Sequence, residues 1–95
     1  VTARSANLQQ LADYIKTNSV GNAVLVFGDT NARYTSSAEN IRVFQTENGM
    51  VNPWVELILR GVEPARGTSA LVCQNPSTTN TCETVDKILY VLAFL

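Results

Sequence analysis

Ala23-Val24-Leu25-Val26-Phe27-Gly28-Asp29-Thr30-Asn31 joins an apolar run to a polar turn, and the rest of the chain is organised around it. Its five leading apolar residues are rich in β-branched types and predict a strand over 23–27. A continuous apolar run predicts burial on both faces. The run ends abruptly in Gly-Asp-Thr-Asn, so the strand delivers polar groups at its C-terminal end. Residues two apart in an extended chain share a side, which would aim Asp29 and Asn31 at one spot. Gly28 permits a turn or a close approach of the backbone. A carboxylate can orient or deprotonate a water, and an amide N–H can bind an anionic oxygen.

Upstream, Val1–Ser5 reads as a lead-in, with Ser5 as the N-cap of a helix over 6–18. Leu8, Leu11, Ala12 and Ile15 follow the helical period and give one apolar face. Gln9, Gln10, Asp13 and Lys16 face outward. Ser19–Asn22, with Gly21, is a turn. A helix joined to a strand by so short a connection is typical of α/β layering.

Downstream, residues 28–35 read as coil. Ser36 and Glu39 have capping-box spacing and predict a second helix to about Glu47, with Ala38, Ile41 and Phe44 inward and Gly49 past its end. Asn52-Pro53 opens a third, strongly apolar helix that Gly61 ends. Trp54 in it is read as core, with ligand stacking as the lesser alternative. Residues 62–69 are loop, 70–73 a short strand, and 84–92 a final strand. The apolar ending Ala93-Phe94-Leu95 is expected to be buried against something or to continue.

The 95 residues suit one small domain or a piece of a larger one, and 45% hydrophobic with 16% charged is an ordinary globular composition. A net charge of −1, from 7 basic and 8 acidic residues, offers no electrostatic footprint for nucleic acid. Arg33, Arg42, Arg60 and Arg66 are scattered and read as solvated surface, with a phosphate contact from Arg33 kept open. No segment approaches the ~20 apolar residues of a membrane span. Arg4, Asn7, Gln9 and Gln10 interrupt any signal-peptide pattern, and a removed leader stays open.

Cys73 and Cys82 are too few for a tetrahedral zinc site, and there is no histidine to help. The polar run between them suits a disulfide-closed loop, stabilising by roughly 2–3 kcal/mol and implying an oxidising compartment. Two free thiols in a cytosolic protein are the other reading.

An apolar strand ending in aspartate has the shape of a Walker B strand, but the matching phosphate loop is absent, as is G-x-G-x-x-G. Nucleophile–histidine chemistry is excluded within this chain. Asp29 capping a turn is the plain structural alternative. Asp86 is a carboxylate within an otherwise apolar strand. It is either used or paired, or it is exposed where the strand begins.

Val24-Leu25-Val26-Phe27-Gly28-Asp29-Thr30-Asn31-Ala32 resembles the strand-GDFNA motif of the endonuclease/exonuclease/phosphatase superfamily, the deoxyribonuclease I-like fold. Gln10-Leu11-Ala12-Asp13-Tyr14-Ile15 is similar to the helix that precedes that motif. Val85-Asp86-Lys87-Ile88-Leu89 is similar to the family's downstream x-D-x-I strand, and Asn52-Pro53-Trp54-Val55-Glu56-Leu57 to its D-x-W helix. A disulfide between the two motif regions occurs in secreted members, and the overall style is closest to secreted fungal ones. The resemblance spans nearly all of residues 5–90.

The resemblance implies an α/β (α+β) fold, a partial deoxyribonuclease I-like sandwich with helices packed on a mixed sheet. Residues 1–95 would form a single partial domain, the C-terminal portion of that fold. Asp29 would position or activate the attacking water. Asn31 would bind a non-bridging phosphate oxygen. Arg33 is kept as a candidate substrate contact for its place close behind the motif, not from the resemblance. Asp86 would orient the constellation. The reaction would be Mg²⁺-assisted hydrolysis of a phosphate ester.

The family's metal-binding glutamate, early asparagine and both histidines have no counterpart here, and Thr30 stands where an aromatic is usual. No metal ligand is therefore assigned in this chain, and Mg²⁺ is expected only if the missing N-terminal half is supplied. The first expectation is a fragment, or one chain, of a secreted phosphoesterase, nuclease or phosphatase, inactive alone. Its open sheet face would be covered by a second chain or by self-association. The alternative is a non-catalytic secreted binding or oligomerising module. A plain structural domain is the third reading.

Overall fold

The computed structural model describes residues 2–69, 71–74, 76–79 and 81–93. Helix α1 (Thr2–Asn18) leads through a turn at Gly21 into strand β1 (Val24–Asp29). A single turn of helix, α2 (Val43–Thr46), and a π-helical turn (Trp54–Ile58) follow, and strand β2 (Asp86–Val91) closes the described fold. The class is mixed α and β, as expected.

The two strands pair antiparallel, from Val24 opposite Val91 to Asp29 opposite Asp86. Val51 adds one antiparallel bridge to Tyr90. Side chains alternate along each strand, so Val24 and Val26 share a face with Leu89 and Val91. That face packs on a core of Ala12 and Ile15 from α1, Ala32 and Tyr34 from the loop after β1, and Ile41, Phe44, Met50 and Val55.

The other face is open. Leu25, Phe27 and Ile88 are 59%, 73% and 56% exposed, so the expectation that β1 is buried on both sides is corrected. An apolar run reports the capacity for two-sided burial, and the described residues cover only one side.

Other boundaries shift for visible reasons. Helix α1 begins at Thr2, because its first turns are anchored from the side: Arg4 grips Glu39 at 2.7 Å and Asn40 Nδ2 donates to Ser5 O at 2.9 Å. Gln9 and Lys16 do not simply face solvent; both donate to Glu47, Lys16 at 2.5 Å. The capping box does not form. Ser36 Oγ accepts from the Ala38 N–H, while Glu39 is spent on Arg4, and only one helical turn survives ahead of Gly49. There, as expected, the chain reverses with Met50 N–H bonded to Phe44 O.

Asn52 does start its helix, its Oδ1 accepting from Trp54 N–H, but the helix is a single wide turn. Trp54 lies half-buried against the core, edge-on to Tyr34 with ring centroids 6.5 Å apart. Residues 71–73 form no strand, and Ala70 lies outside the described residues, as do Phe94 and Leu95 of the apolar ending. Cys73 and Cys82 are joined as a disulfide, with Cα atoms 5.4 Å apart. Among the described residues no helix is long and apolar enough to cross a membrane.

Candidate phosphate-ester site

Asp29 is the last residue of β1 and Asp86 the first of β2, and they are Cα partners. Directly opposed residues of an antiparallel pair project to the same face with Cβ atoms about 5 Å apart. Both carboxylates therefore lie at one end of the open sheet face, beside exposed Phe27 and Ile88, and both are exposed. Of the two readings of Asp86, exposure at the strand's start is the one realised.

Gly28 precedes the pair with φ 146°, a conformation that other residues rarely adopt, and a Cβ there would meet nothing within 4 Å. Backbone freedom, rather than close approach, is what glycine supplies here. Asn31 leaves the strand with φ 51°, so strand alternation does not place it beside Asp29. A local turn does: Asp29 Oδ1 accepts from Asn31 N–H at 2.9 Å. The turn-capping role of Asp29 and the juxtaposition with Asn31 are thus the same feature, an Asx turn.

Two connections tie this turn to the approach to β2. Thr30 donates twice to Val85 O, from its backbone N–H at 2.9 Å and from Oγ1 at 2.8 Å. Glu83 supplies the second. Its Oε2 accepts from Tyr34 N–H and from Lys87 Nζ, and its backbone oxygen accepts from Arg33. Arg33 thus reaches the β2 approach and is half-buried there.

Glu83 and Lys87 are 3% and 5% exposed. Burial pulls the Lys87 ammonium below its ordinary lysine value, against the opposing pull of Glu83. Nothing distinctive marks Glu83 in the sequence, an acid in a polar loop beside a cysteine. Its four-residue spacing from Lys87 was the only hint.

The scattered arginines are not all solvated surface. Arg42 lies 4.1 Å over the Tyr34 ring and donates to Tyr34 O and Pro64 O. Arg66 donates to Ser37 O and Glu39 O. Both hold loops through carbonyls, contacts that composition cannot reveal. Burial and then the Glu63 carboxylate, which accepts from Tyr34 Oη at 2.5 Å, push the Tyr34 phenol far above its usual range.

A cavity of about 150 Å³ adjoins the site, lined by Asn52, Trp54, Glu83, Thr84 and Asp86 among others. A wider one of about 720 Å³ lies at the disulfide loop and includes neither Asp29 nor Asn31. Among the described residues no three histidine, cysteine, aspartate or glutamate side chains gather as a metal site. Asp29 and Asp86 are two carboxylates, the hard oxygen donors that Mg²⁺ takes together with waters and substrate phosphate.

This chain is similar to a mycobacterial sphingomyelinase. The identity is 38% over 86 residues, for the protein of Mycobacterium bovis and equally for those of two strains of Mycobacterium tuberculosis. The match takes in 90% of this chain and 16% of each relative, so the chain spans well under a fifth of their length. No family model matches the chain. No solved structure matches it.

Proposed function

We propose that this chain carries part of the hydrolytic site of a phosphodiesterase of the sphingomyelinase kind, within the endonuclease/exonuclease/phosphatase superfamily. The observation that carries the reading is the opposition of Asp29 and Asp86 on an open sheet face, with Asn31 turned back onto Asp29. Two carboxylates at one exposed point suit the positioning of water and of a counter-charge. A neighbouring amide suits a phosphate oxygen. The similarity to proteins named sphingomyelinase supports a phosphodiester as substrate. A nucleic acid is the other phosphodiester of the same chemistry.

In this reading Asp29 orients the attacking water and Asn31 Nδ2 donates to a non-bridging phosphate oxygen. Asp86 holds the constellation from the facing strand. Positioning and pre-set electrostatics are the protein's contribution. Mg²⁺ would neutralise charge developing on phosphate, held mainly by groups outside these 95 residues. Secretion belongs to the proposal and is supported by the disulfide. The exposed face of Leu25, Phe27 and Ile88 would be covered by further protein, on a second chain or the same one.

The test is sphingomyelin hydrolysis with Mg²⁺ by the purified 95-residue chain and by the native material that contains it. The proposal expects turnover in the native material and little in the isolated chain. Rapid turnover by the isolated chain, or none in either, contradicts it. The same apolar face also favours a second reading, a non-catalytic module that self-associates. Sedimentation of a discrete homo-oligomer without phosphodiesterase activity would favour that one.

A further inference from the structure

Glu83 lies outside every motif of the chain, yet it is almost fully buried between the two segments that carry the candidate site. Its Oε2 receives the Tyr34 N–H from the loop after β1 and the Lys87 ammonium from β2, and its carbonyl receives Arg33. Its Oε1 is buried with no hydrogen-bond partner among the described residues. A carboxylate kept in such a place costs stability, and a shape-matched apolar pair would fill it at no greater cost. Packing alone therefore does not explain it.

Tyr34 lies three residues after Asn31, and Lys87 directly follows Asp86. The same carboxylate oxygen therefore holds both halves of the site. The Thr30–Val85 bonds sit on the site side of this latch and depend on the two segments staying in register.

We propose that Glu83 is a positioning residue: its carboxylate, carried on the approach to β2 and accepting from Tyr34 N–H, sets Asp29 and Asn31 against Asp86. This rests on the phosphodiesterase reading for its purpose, but its geometry can be tested without substrate. Lys87 belongs to the latch as the charge that makes the buried carboxylate tolerable.

The experiment is residue-resolved amide hydrogen exchange on the full 95-residue chain. It compares the wild type with Glu83→Gln/Lys87→Met and Glu83→Leu/Lys87→Met. Both variants remove the buried charges together, and only the glutamine keeps an acceptor for Tyr34 N–H. The leucine variant is expected to speed exchange of the Tyr34 and Thr30 amides by about tenfold or more. The pairing of Val26 with Leu89 should keep its protection, and the glutamine variant should exchange like wild type at all these amides.

Unchanged Tyr34 and Thr30 amides in the leucine variant overturn the proposal. So does an equal loss across the whole ladder, which is what a merely stabilising residue would give. Should the leucine variant not fold, Glu83→Met/Lys87→Met takes its place, the methionine matching glutamate in length but offering the Tyr34 N–H no oxygen. Faster exchange confined to the Tyr34 and Thr30 amides is expected of it, and unchanged exchange there overturns the proposal. Because no turnover is read, these failures are distinct from failure of the phosphodiesterase assignment.

Discussion

Asp86 stands directly across the β1–β2 ladder from Asp29, one carboxylate opposite another at the open end of the sheet. Like charges so placed repel, which nothing in the packing requires. Replacing Asp86 with asparagine should therefore raise stability by about 0.2–1 kcal/mol while lowering phosphodiesterase activity in the native assembly. Urea unfolding with a parallel turnover assay checks both. A variant both less stable and fully active would contradict the assignment.

Asn31 holds φ 51°, which asparagine and glycine adopt far more readily than alanine. Asn31→Gly should leave stability nearly unchanged, and Asn31→Ala should cost about 1 kcal/mol more. Both should lose the phosphate contact. Comparing the two by urea unfolding separates the backbone role of the residue from the chemistry of its amide.

Much of the candidate site's placement is legible because strand, glycine and acid stand in one short run. Val24–Phe27 is read as a strand from its own residues, and Asp86 stands out as an acid among apolar neighbours. What the run could not tell is which face would be covered, since five apolar residues look the same with one partner layer as with two. Nor could it show that Asn31 reaches Asp29 through an Asx turn. Ser36 and Glu39 predict a longer helix than the one that forms, because Glu39 has a better partner in Arg4, 35 residues away. Glu83 was invisible for the same reason: its contacts to Tyr34 and Arg33 span about fifty residues of sequence.

The Glu83–Lys87 pair should be strongly non-additive. Removing Glu83 alone, as Glu83→Ala, leaves a buried ammonium without its counter-charge and should cost about 3–5 kcal/mol. Adding Lys87→Met should recover a large part of that loss. A double-mutant cycle on chemical unfolding measures the coupling, and additive effects would mean that the pair does not form in solution.

Acid should weaken the junction between α1 and the segment that follows β1. Arg4 holds the Glu39 carboxyl below its ordinary value, and Lys16, with Gln9, does the same for Glu47. Groups depressed on folding contribute stability that is fully present above the unfolded value near 4.5 and is lost as pH falls through the folded values. The wild type should therefore lose more stability between neutral pH and pH 3 than Glu39→Gln/Glu47→Gln does. Urea midpoints at the two pH values, compared between the proteins, check the sign.

The proposed task of Asp29 and Asn31 is to act on a phosphodiester. Turnover of sphingomyelin is to be measured in the native material carrying Asp29→Asn, which keeps an oxygen for the Asn31 N–H, with folding verified by a cooperative unfolding transition. A fall of at least about a hundredfold in kcat is expected, the scale of losing a positioned catalytic group. Turnover equal to that of the unaltered protein would contradict it.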